Sequence, residues 1–188
     1  MTTLTDMEKY LQAWEAVDIR KSLTLWGGML KEAMLEAKSK GGVIYICGNG
    51  GSAANAIHMA NDFTYGYCDA GRRFNVEALP ANSSVLTCLA NDIGYDKIFS
   101  HQLENKLKPN DLLVVLSGSG NSPNIIKALE VAKARSAKTL GMLGFNGGKA
   151  KAMVDILLHA ELDDMQVAED LQLMIAHAAM RMMEEHIK

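Results

Sequence analysis

Charge of one sign is not in excess in this sequence, and like charges form no long block. The 19 lysines and arginines face 22 aspartates and glutamates, which gives a formal net charge of −3 at pH 7. Domains that bind nucleic acid directly usually carry a basic patch that neutralises phosphates. Because the charge balance gives no such footprint, we expect no direct contact with nucleic acid.

Long hydrophobic runs are lacking as well. A membrane-spanning helix needs roughly 18 or more consecutive apolar residues, and no run in this chain approaches that length. The opening segment, MTTLTDMEKY, also lacks the basic-then-apolar order of a secretory signal. We therefore expect a protein that has no membrane partner and acts in the cytoplasm.

Cysteine is scarce. The chain has three, Cys47, Cys68 and Cys88, and they stand in apolar or mixed surroundings. A small and odd number of cysteines argues against a disulfide framework and is typical of proteins from a reducing compartment. We expect these residues to fill small spaces in the core.

Short apolar runs and helical patterns make up most of the chain. With 48% hydrophobic residues, a chain of 188 residues can bury a sizeable core. Helical patterns cover residues 4–40, up to the helix-stop signal Gly41-Gly42, and residues 165–188, which predict one long helix. Between them stand five apolar runs, VIYIC (43–47), FNVEAL (74–79), DLLVVLS (111–117), KTLGMLG (138–144) and DILLHA (155–160). Most gaps between the runs are long enough for a crossover helix, which predicts an α/β fold with a parallel sheet covered on both faces.

Glycines and small polar residues follow two of the predicted strands. CGNGGS ends the first run and LSGSGNSPN ends the third. Ligands of parallel sheets bind where strands end and helices begin, and the amide groups at a helix start favour anions. Neither loop fits GxxxxGK[ST] or GxGxxG, which argues against both common nucleotide-binding loops. The serines of the second loop exceed what a tight turn needs and suit a phosphate group.

His58 and Asp62 lie four residues apart on the helix predicted after the first loop, so they share one face. A histidine and a carboxylate at this spacing can ligate one metal ion. They can equally form a hydrogen bond on the protein surface. The spacing alone leaves both interpretations open.

Four segments together carry a resemblance to a known family. With GNGGS, HMAND, ANDIGY and SGSGNS, the chain resembles the sugar isomerase (SIS) domain family, and within it the phosphoheptose isomerases. The resemblance implies one SIS domain over residues 1–188, with N-terminal helices in 1–40 and an α/β core in 41–188 that ends in a long helix. It also implies a five-stranded parallel sheet flanked by helices, in a flavodoxin-like three-layer sandwich, and a homotetramer with its sites between subunits.

The resemblance further implies an activity and a cofactor. Phosphoheptose isomerases convert sedoheptulose 7-phosphate to D-glycero-D-manno-heptose 7-phosphate, here through a metal-assisted enediol. The implied ligands of one zinc ion per subunit are His58, Asp62, Glu169 and His177, and Asp62 and His177 would also transfer protons. Asp62 stands where the family has glutamate and Glu169 where it has glutamine. The added negative charge makes harder ions such as Mn²⁺ or Mg²⁺ alternatives to zinc.

Matching positions also imply which residues bind the sugar phosphate. These positions are Asn49, Gly50, Gly51, Ser52, Asn91, Asp92, Ser117, Gly118, Ser119, Ser122 and Glu169. Two non-catalytic functions stay open as alternatives. Some SIS proteins bind the bacterial replication initiator and lack a complete metal set, and the wording GNGGSAAN leans towards them. Others sense a sugar phosphate without turnover. The presence of both His58 and His177 favours an enzyme.

Overall fold

Five parallel strands form a single sheet in the computed structural model of the chain, which describes residues 5–65 and 73–185. The strands are β1 (Ile44–Gly48), β2 (Val76–Ala78), β3 (Leu112–Ser117), β4 (Lys138–Leu143) and β5 (Ile156–His159). Their order across the sheet is β2-β1-β3-β4-β5. Each strand coincides with one of the five apolar runs, and only β1 extends one residue past its run, so the predicted α/β fold with a five-stranded parallel sheet is confirmed.

Seven α-helices surround the sheet within the described residues. They are α1 (Asp6–Glu15), α2 (Ile19–Ser39), α3 (Gly51–Tyr65), α4 (Ser83–Asp92), α5 (Ser100–Lys106), α6 (Pro123–Ala134) and α7 (Met165–Glu185). Short 3₁₀ turns stand at Leu79–Ala81, Tyr95–Lys97 and Ala150–Ala152. Across residues 5–65 and 73–185, no helix is both long and apolar enough to cross a membrane. The last three residues of the predicted C-terminal helix, 186–188, lie outside the described residues.

The sheet is buried on both faces, which explains why its strands read as nearly continuous apolar runs. Along β3, Leu112, Val114 and Leu116 pack on one side, in a core shared with α2, α3 and α7. Leu113 and Val115 point the other way, into a core shared with α5 and α6. Alternate residues of a strand face opposite sides of a sheet. The result is the three-layer arrangement that places α3 and α7 on the same side.

The ends of β1 and β3 create a crevice in this sheet. Gly48 at the end of β1 pairs with Leu116 near the end of β3, while β2 continues the sheet on one side and β4 on the other. The chain connections therefore diverge between these two strands. Such a switch point leaves room for a ligand at the carboxyl ends of the strands. The two glycine-containing loops of the sequence both open onto this crevice.

The two cysteines in the described residues differ from each other. Cys47 is fully buried in β1, as expected of a core residue, and burial raises the pKa of its thiol. Cys88 is exposed on α4, so the prediction that it fills the core is wrong. Its Sγ donates to Oδ2 of Asp92 at 3.4 Å, one helical turn later, and this hydrogen bond raises the pKa of the thiol. Cys68 lies outside the described residues.

Candidate active site

His58, Asp62 and His177 converge on one point between α3 and α7. The Nε2 atom of His58 lies 3.1 Å from Oδ2 of Asp62 and 3.2 Å from Nε2 of His177. The Nε2 atom of His177 lies 3.4 Å from the same Oδ2. We call these three residues the triad. Residues one helical turn apart on α3 thus meet a residue that stands 115 positions after Asp62 in the sequence.

The triad has the donor set and the spacing of a divalent-metal site. Zinc in proteins binds imidazole nitrogen and carboxylate oxygen at about 2.0 Å, and ligands at the corners of such a tetrahedron lie about 3.3 Å from each other. The three distances in the triad, 3.1, 3.2 and 3.4 Å, scatter around that value. Three protein ligands are also the usual number in catalytic zinc sites, which keep one position open. The residues present therefore fit a metal ion.

The triad is accessible to a small molecule. The side chain of His58 is 48% exposed and that of His177 is 52% exposed, whereas Asp62 lies deeper at 22%. The carboxylate therefore forms the floor of the cluster, and the two imidazole rings form its rim. The rings meet edge to face, with centroids 5.4 Å apart. This arrangement leaves the three donor atoms open from one side.

Glu169, the fourth expected metal ligand, lies at the first turn of α3 instead. Its Oε1 accepts a hydrogen bond from the backbone N–H of Ser52 at 3.1 Å. A Cβ on Gly51 would stand 2.2 Å from Oε2 of Glu169, so a side chain there would displace the carboxylate. A carboxylate is favoured at a helix N-terminus, where backbone N–H groups have no partner. The structure thus brings three of the four expected ligands together and places Glu169 as a cap of α3.

The loop after β1 is tied to the loop after β3 by a pair of amide side chains. Nδ2 of Asn49 donates to Oδ1 of Asn124 at 2.9 Å, and Nδ2 of Asn124 donates back to Oδ1 of Asn49 at 2.8 Å. The hydroxyl of Tyr95 donates to the same Asn49 oxygen at 2.9 Å. Asn49 therefore keeps one N–H as a donor for a ligand. Gly50, with φ of +55°, makes the left-handed turn that starts α3.

The serine-rich loop after β3 presents hydroxyl groups at the start of α6. Oγ of Ser117 accepts from the backbone N–H of Gly120 at 3.1 Å, and Oγ of Ser119 accepts from that of Asn121 at 3.2 Å. Both hydroxyls thus act as acceptors to the loop and keep their own hydrogen for another partner. Ser122 is the N-cap residue of α6, and its hydroxyl makes no capping bond within the described part of the chain. These serines face the helix start, which is favourable for an anion.

A second loop, residues 144–150, holds the serine loop in place. The N–H of Gly144 donates to the carbonyl of Gly118 at 3.0 Å, and the N–H of Ala150 donates to that of Gly120 at 3.0 Å. A Cβ on Gly118 would come within 2.4 Å of the sulfur of Met165. The shape of the serine loop therefore depends on backbone contacts that leave no room for side chains. Gly118, which was expected to bind substrate, has this packing role in the structure.

Asn91 and Asp92 end α4 at an exposed position. Nδ2 of Asn91 donates to Oδ1 of Asp92 at 2.8 Å, and this bond, together with that from Cys88, lowers the pKa of Asp92. The hydrogen bonds of both side chains are local in the described residues. Tyr95, in the turn after α4, connects this segment to Asn49. The structure thus places the ANDIGY segment beside the loop after β1, but apart from the triad.

Comparison with known proteins identifies the family of the chain. The SIS domain profile matches residues 28–144. The chain belongs to the SIS domain family. Another member of this family, a phosphoheptose isomerase from Helicobacter pylori, is 36% identical over 171 residues, which are 89% of this chain and 89% of that protein.

Solved structures of SIS proteins superpose on nearly the whole chain. The phosphoheptose isomerase from Neisseria gonorrhoeae has a TM-score of 0.83 at 32% identity, and the match covers 93% of this chain and 92% of that one. A phosphoheptose isomerase from Francisella tularensis has a TM-score of 0.84 at 24% identity, over 97% and 100% of the two chains, and shows the shared fold. Because relatives named phosphoheptose isomerase match this chain over most of both lengths, this SIS protein is an isomerase.

Several residues of the SIS site were missed by sequence reasoning. Asn124 and Tyr95 fix the amide of Asn49, and the loop 144–150 supports the serine loop. One signal was available, because Asn124 is a polar residue in the first turn of the helix that follows SGSGNSP. Nothing in the spacing of Gly147 and Gly148 relates them to a loop that ends more than 20 residues earlier.

Proposed function

We propose that this chain is an aldose–ketose isomerase that interconverts sedoheptulose 7-phosphate and D-glycero-D-manno-heptose 7-phosphate. The observation that carries the proposal is the triad, in which a carboxylate and two imidazoles converge on one point. Relatives named phosphoheptose isomerase match over most of the chain. Both the substrate class and the residue types that such chemistry needs are thereby accounted for.

The phosphate of the substrate would bind in the serine loop. Ser117, Ser119 and Ser122 have hydroxyl hydrogens available there, and the α6 N-terminus adds backbone N–H groups. The sugar would then extend past Asn49 towards α3. His58 lies seven residues into α3, about 10 Å along the helix axis from its first residue. The reacting carbons, at the other end of the sugar from the phosphate, would lie beside the triad.

Asp62 and His177 have the chemistry to move the protons of this reaction. Asp62 would take a proton from C1 of the ketose while His177 gives one to the oxygen on C2, which yields the enediol. Asp62 would then return its proton to C2, and His177 would take the hydroxyl proton from the oxygen on C1, which leaves the aldehyde. An imidazole has two nitrogens, so His177 can hold an ion at one and a proton at the other.

The triad residues His58, Asp62 and His177 would hold the metal ion. Two imidazoles and one carboxylate suit zinc better than Mn²⁺ or Mg²⁺, which prefer oxygen ligands. A bound ion would polarise the sugar carbonyl and stabilise negative charge on its oxygen. Glu169 would support the site from the start of α3. Each subunit would then carry one ion.

The first test is the metal content of protein purified without chelator. We expect about one equivalent of zinc per chain by elemental analysis, and a lower melting temperature after the ion is removed, since a ligand of the folded state stabilises it. His58→Ala should lose the ion, whereas His101→Ala, on an exposed histidine of α5, should keep it. Absence of stoichiometric metal even after zinc is supplied would contradict the site. Binding of sedoheptulose 7-phosphate without conversion would indicate a non-catalytic SIS protein.

We further propose a cytoplasmic homotetramer. Met7 and Leu11 on α1 and Leu25 on α2 are each more than half exposed, so the N-terminal helices present apolar surface that a partner subunit could cover. A reducing compartment would keep the thiols of Cys47 and Cys88 free. Light scattering at micromolar concentration should give the mass of four chains. Leu11→Glu should lower that mass if α1 lies in the interface, and a stable monomer of the unmodified chain would contradict the assembly.

A further inference from the structure

A buried polar cluster joins α3 to α7. On both helices its residues precede the triad residues in the sequence. It consists of Ser52 and Asn55 on α3 and Glu169 and Gln172 on α7, and we call it the α3–α7 clasp. Ser52, Asn55 and Gln172 are all buried, and Glu169 is partly buried. Each member bonds to a member on the opposite helix. The clasp therefore lies on the same two helices that carry His58, Asp62 and His177.

Five hydrogen bonds cross between the helices within the clasp. Glu169 accepts from the N–H of Ser52 at 3.1 Å and from its hydroxyl at 3.5 Å. Nδ2 of Asn55 donates to the backbone carbonyl of Glu169 at 2.9 Å and to Oε1 of Gln172 at 3.0 Å. Nε2 of Gln172 donates to Oγ of Ser52 at 3.2 Å. Asn55 thus donates two bonds from Nδ2, whereas Gln172 accepts one bond at Oε1 and donates one from Nε2.

The apolar core around α3 and α7 mixes small residues, such as Ala56 and Ala176, with larger ones, such as Leu171. Apolar contacts have no direction, so they constrain the sliding of one helix along the other less sharply than hydrogen bonds do. A slide of one residue moves a helix by about 1.5 Å. Metal ligands must be within about 0.2 Å of their ideal distances. Directional bonds between buried polar groups can set the register, since a slide would leave those groups without partners.

We propose that the α3–α7 clasp is a positioning device that sets the distance of His177 from His58 and Asp62. In the described residues, the side chains of Asn55 and Gln172 hydrogen-bond to other clasp members and not to the triad. They would therefore act on the reaction through the relative placement of the two helices. The proposal rests on the proposed function for its activity readout. The proposed effect of the clasp on the distance between the Nε2 atoms of His58 and His177 does not depend on that function and can be measured without it.

Gln172→Met is the test variant, with Gln102→Met as its matched control. Methionine has nearly the shape of glutamine, so Gln172→Met removes two clasp bonds and leaves the packing volume almost unchanged. Gln102 is also buried, at 7% exposure, and donates to the carbonyls of Leu79 and Ile98, but it lies on α5 across the sheet. Both variants lose a buried amide of the same kind. The melting temperature of each reports the cost to stability alone.

Gln172→Met is expected to weaken zinc binding by about tenfold or more, the usual scale for residues that orient metal ligands. Turnover should fall by a similar factor. KM should stay within about twofold, because the serine loop is untouched and Ser52 keeps its two bonds to Glu169. Gln102→Met should change the melting temperature only. Equal zinc affinity and turnover in Gln172→Met and the parent chain would overturn the proposal.

If the parent chain binds no zinc, the proposed function fails, but the clasp can still be tested. Crystal structures of the parent chain and of Gln172→Met then give the separation of the two histidine nitrogens in each. A changed separation of the His58 and His177 Nε2 atoms in Gln172→Met supports the clasp proposal, and an unchanged one refutes it.

Discussion

Asp62→Asn is expected to lower the turnover of isomerisation by orders of magnitude while it leaves binding of the sugar phosphate largely intact. Asparagine keeps an oxygen near the position of Oδ2 and nearly the same shape, but it cannot accept the proton from C1. General acid–base groups contribute about 10²–10⁴-fold to turnover, so kcat should fall within that range. We propose that Ser117, Ser119 and Ser122 on another loop bind the phosphate, so the dissociation constant should change little. Single-turnover conversion and calorimetric binding of sedoheptulose 7-phosphate measure the two effects separately.

Asp62→Glu is the control for this experiment. It keeps the carboxylate and lengthens it by one methylene, to the residue found in the phosphoheptose isomerases that the sequence resembles. We expect it to retain measurable turnover. Near-native turnover in Asp62→Asn would mean that Asp62 is structural. The shorter side chain would then indicate a protein that has left the isomerase mechanism for a binding role.

Gly120→Ala is expected to weaken binding of the sugar phosphate. Gly120 has φ of +63°, a left-handed conformation that residues with a side chain rarely adopt, and a Cβ there would lie 2.0 Å from the carbonyl oxygen of Gly147. The serine loop or the loop 144–150 must move, and the hydroxyls of Ser117 and Ser119 move with it. Each hydrogen bond to a charged group contributes about 1.5–3 kcal/mol. The dissociation constant should therefore rise by at least about tenfold.

Gly41→Ala separates this effect from strain alone. Gly41 has nearly the same conformation, with φ of +67°, but a Cβ there would meet no described atom within 4 Å. It follows α2 at the opposite end of β1 from the crevice. Both variants should lose stability in urea unfolding, and only Gly120→Ala should bind the sugar phosphate more weakly. Equal affinities of the two variants for sedoheptulose 7-phosphate would show that the serine loop does not hold the phosphate.

The strands could be predicted from the sequence because a strand buried on both faces is apolar at nearly every position. Leu112–Ser117 is apolar at nearly every position, since each residue faces one of two helical layers. Helix α6 was equally readable from Pro123, which stands at its first residue. These features depend on neighbours along the chain. They were therefore available without knowledge of the tertiary structure.

The placement of Glu169 could not be predicted in the same way. Its distance from His177 along α7 is compatible with a shared ion, but the structure directs its carboxylate to the N–H of Ser52. That choice depends on the height of α7 relative to α3, which no pattern within either helix encodes. The exposure of Cys88 has a similar origin, because it depends on which side of α4 faces the sheet. The role of Asn124 could not be predicted either, because it depends on hydrogen bonds to Asn49, which is 75 residues away in the sequence.

The central claim is that this SIS protein moves a proton between the first two carbons of a heptose phosphate. Incubation of the zinc-loaded protein with sedoheptulose 7-phosphate in D₂O, followed by NMR, tests it most directly. An enediol formed at Asp62 predicts conversion to the aldose, with deuterium at C2 because the proton on the carboxylate exchanges with solvent. The same sample of Asp62→Asn should convert the substrate about 10²–10⁴-fold more slowly. Unchanged substrate that is nevertheless bound by the unmodified protein would contradict the claim.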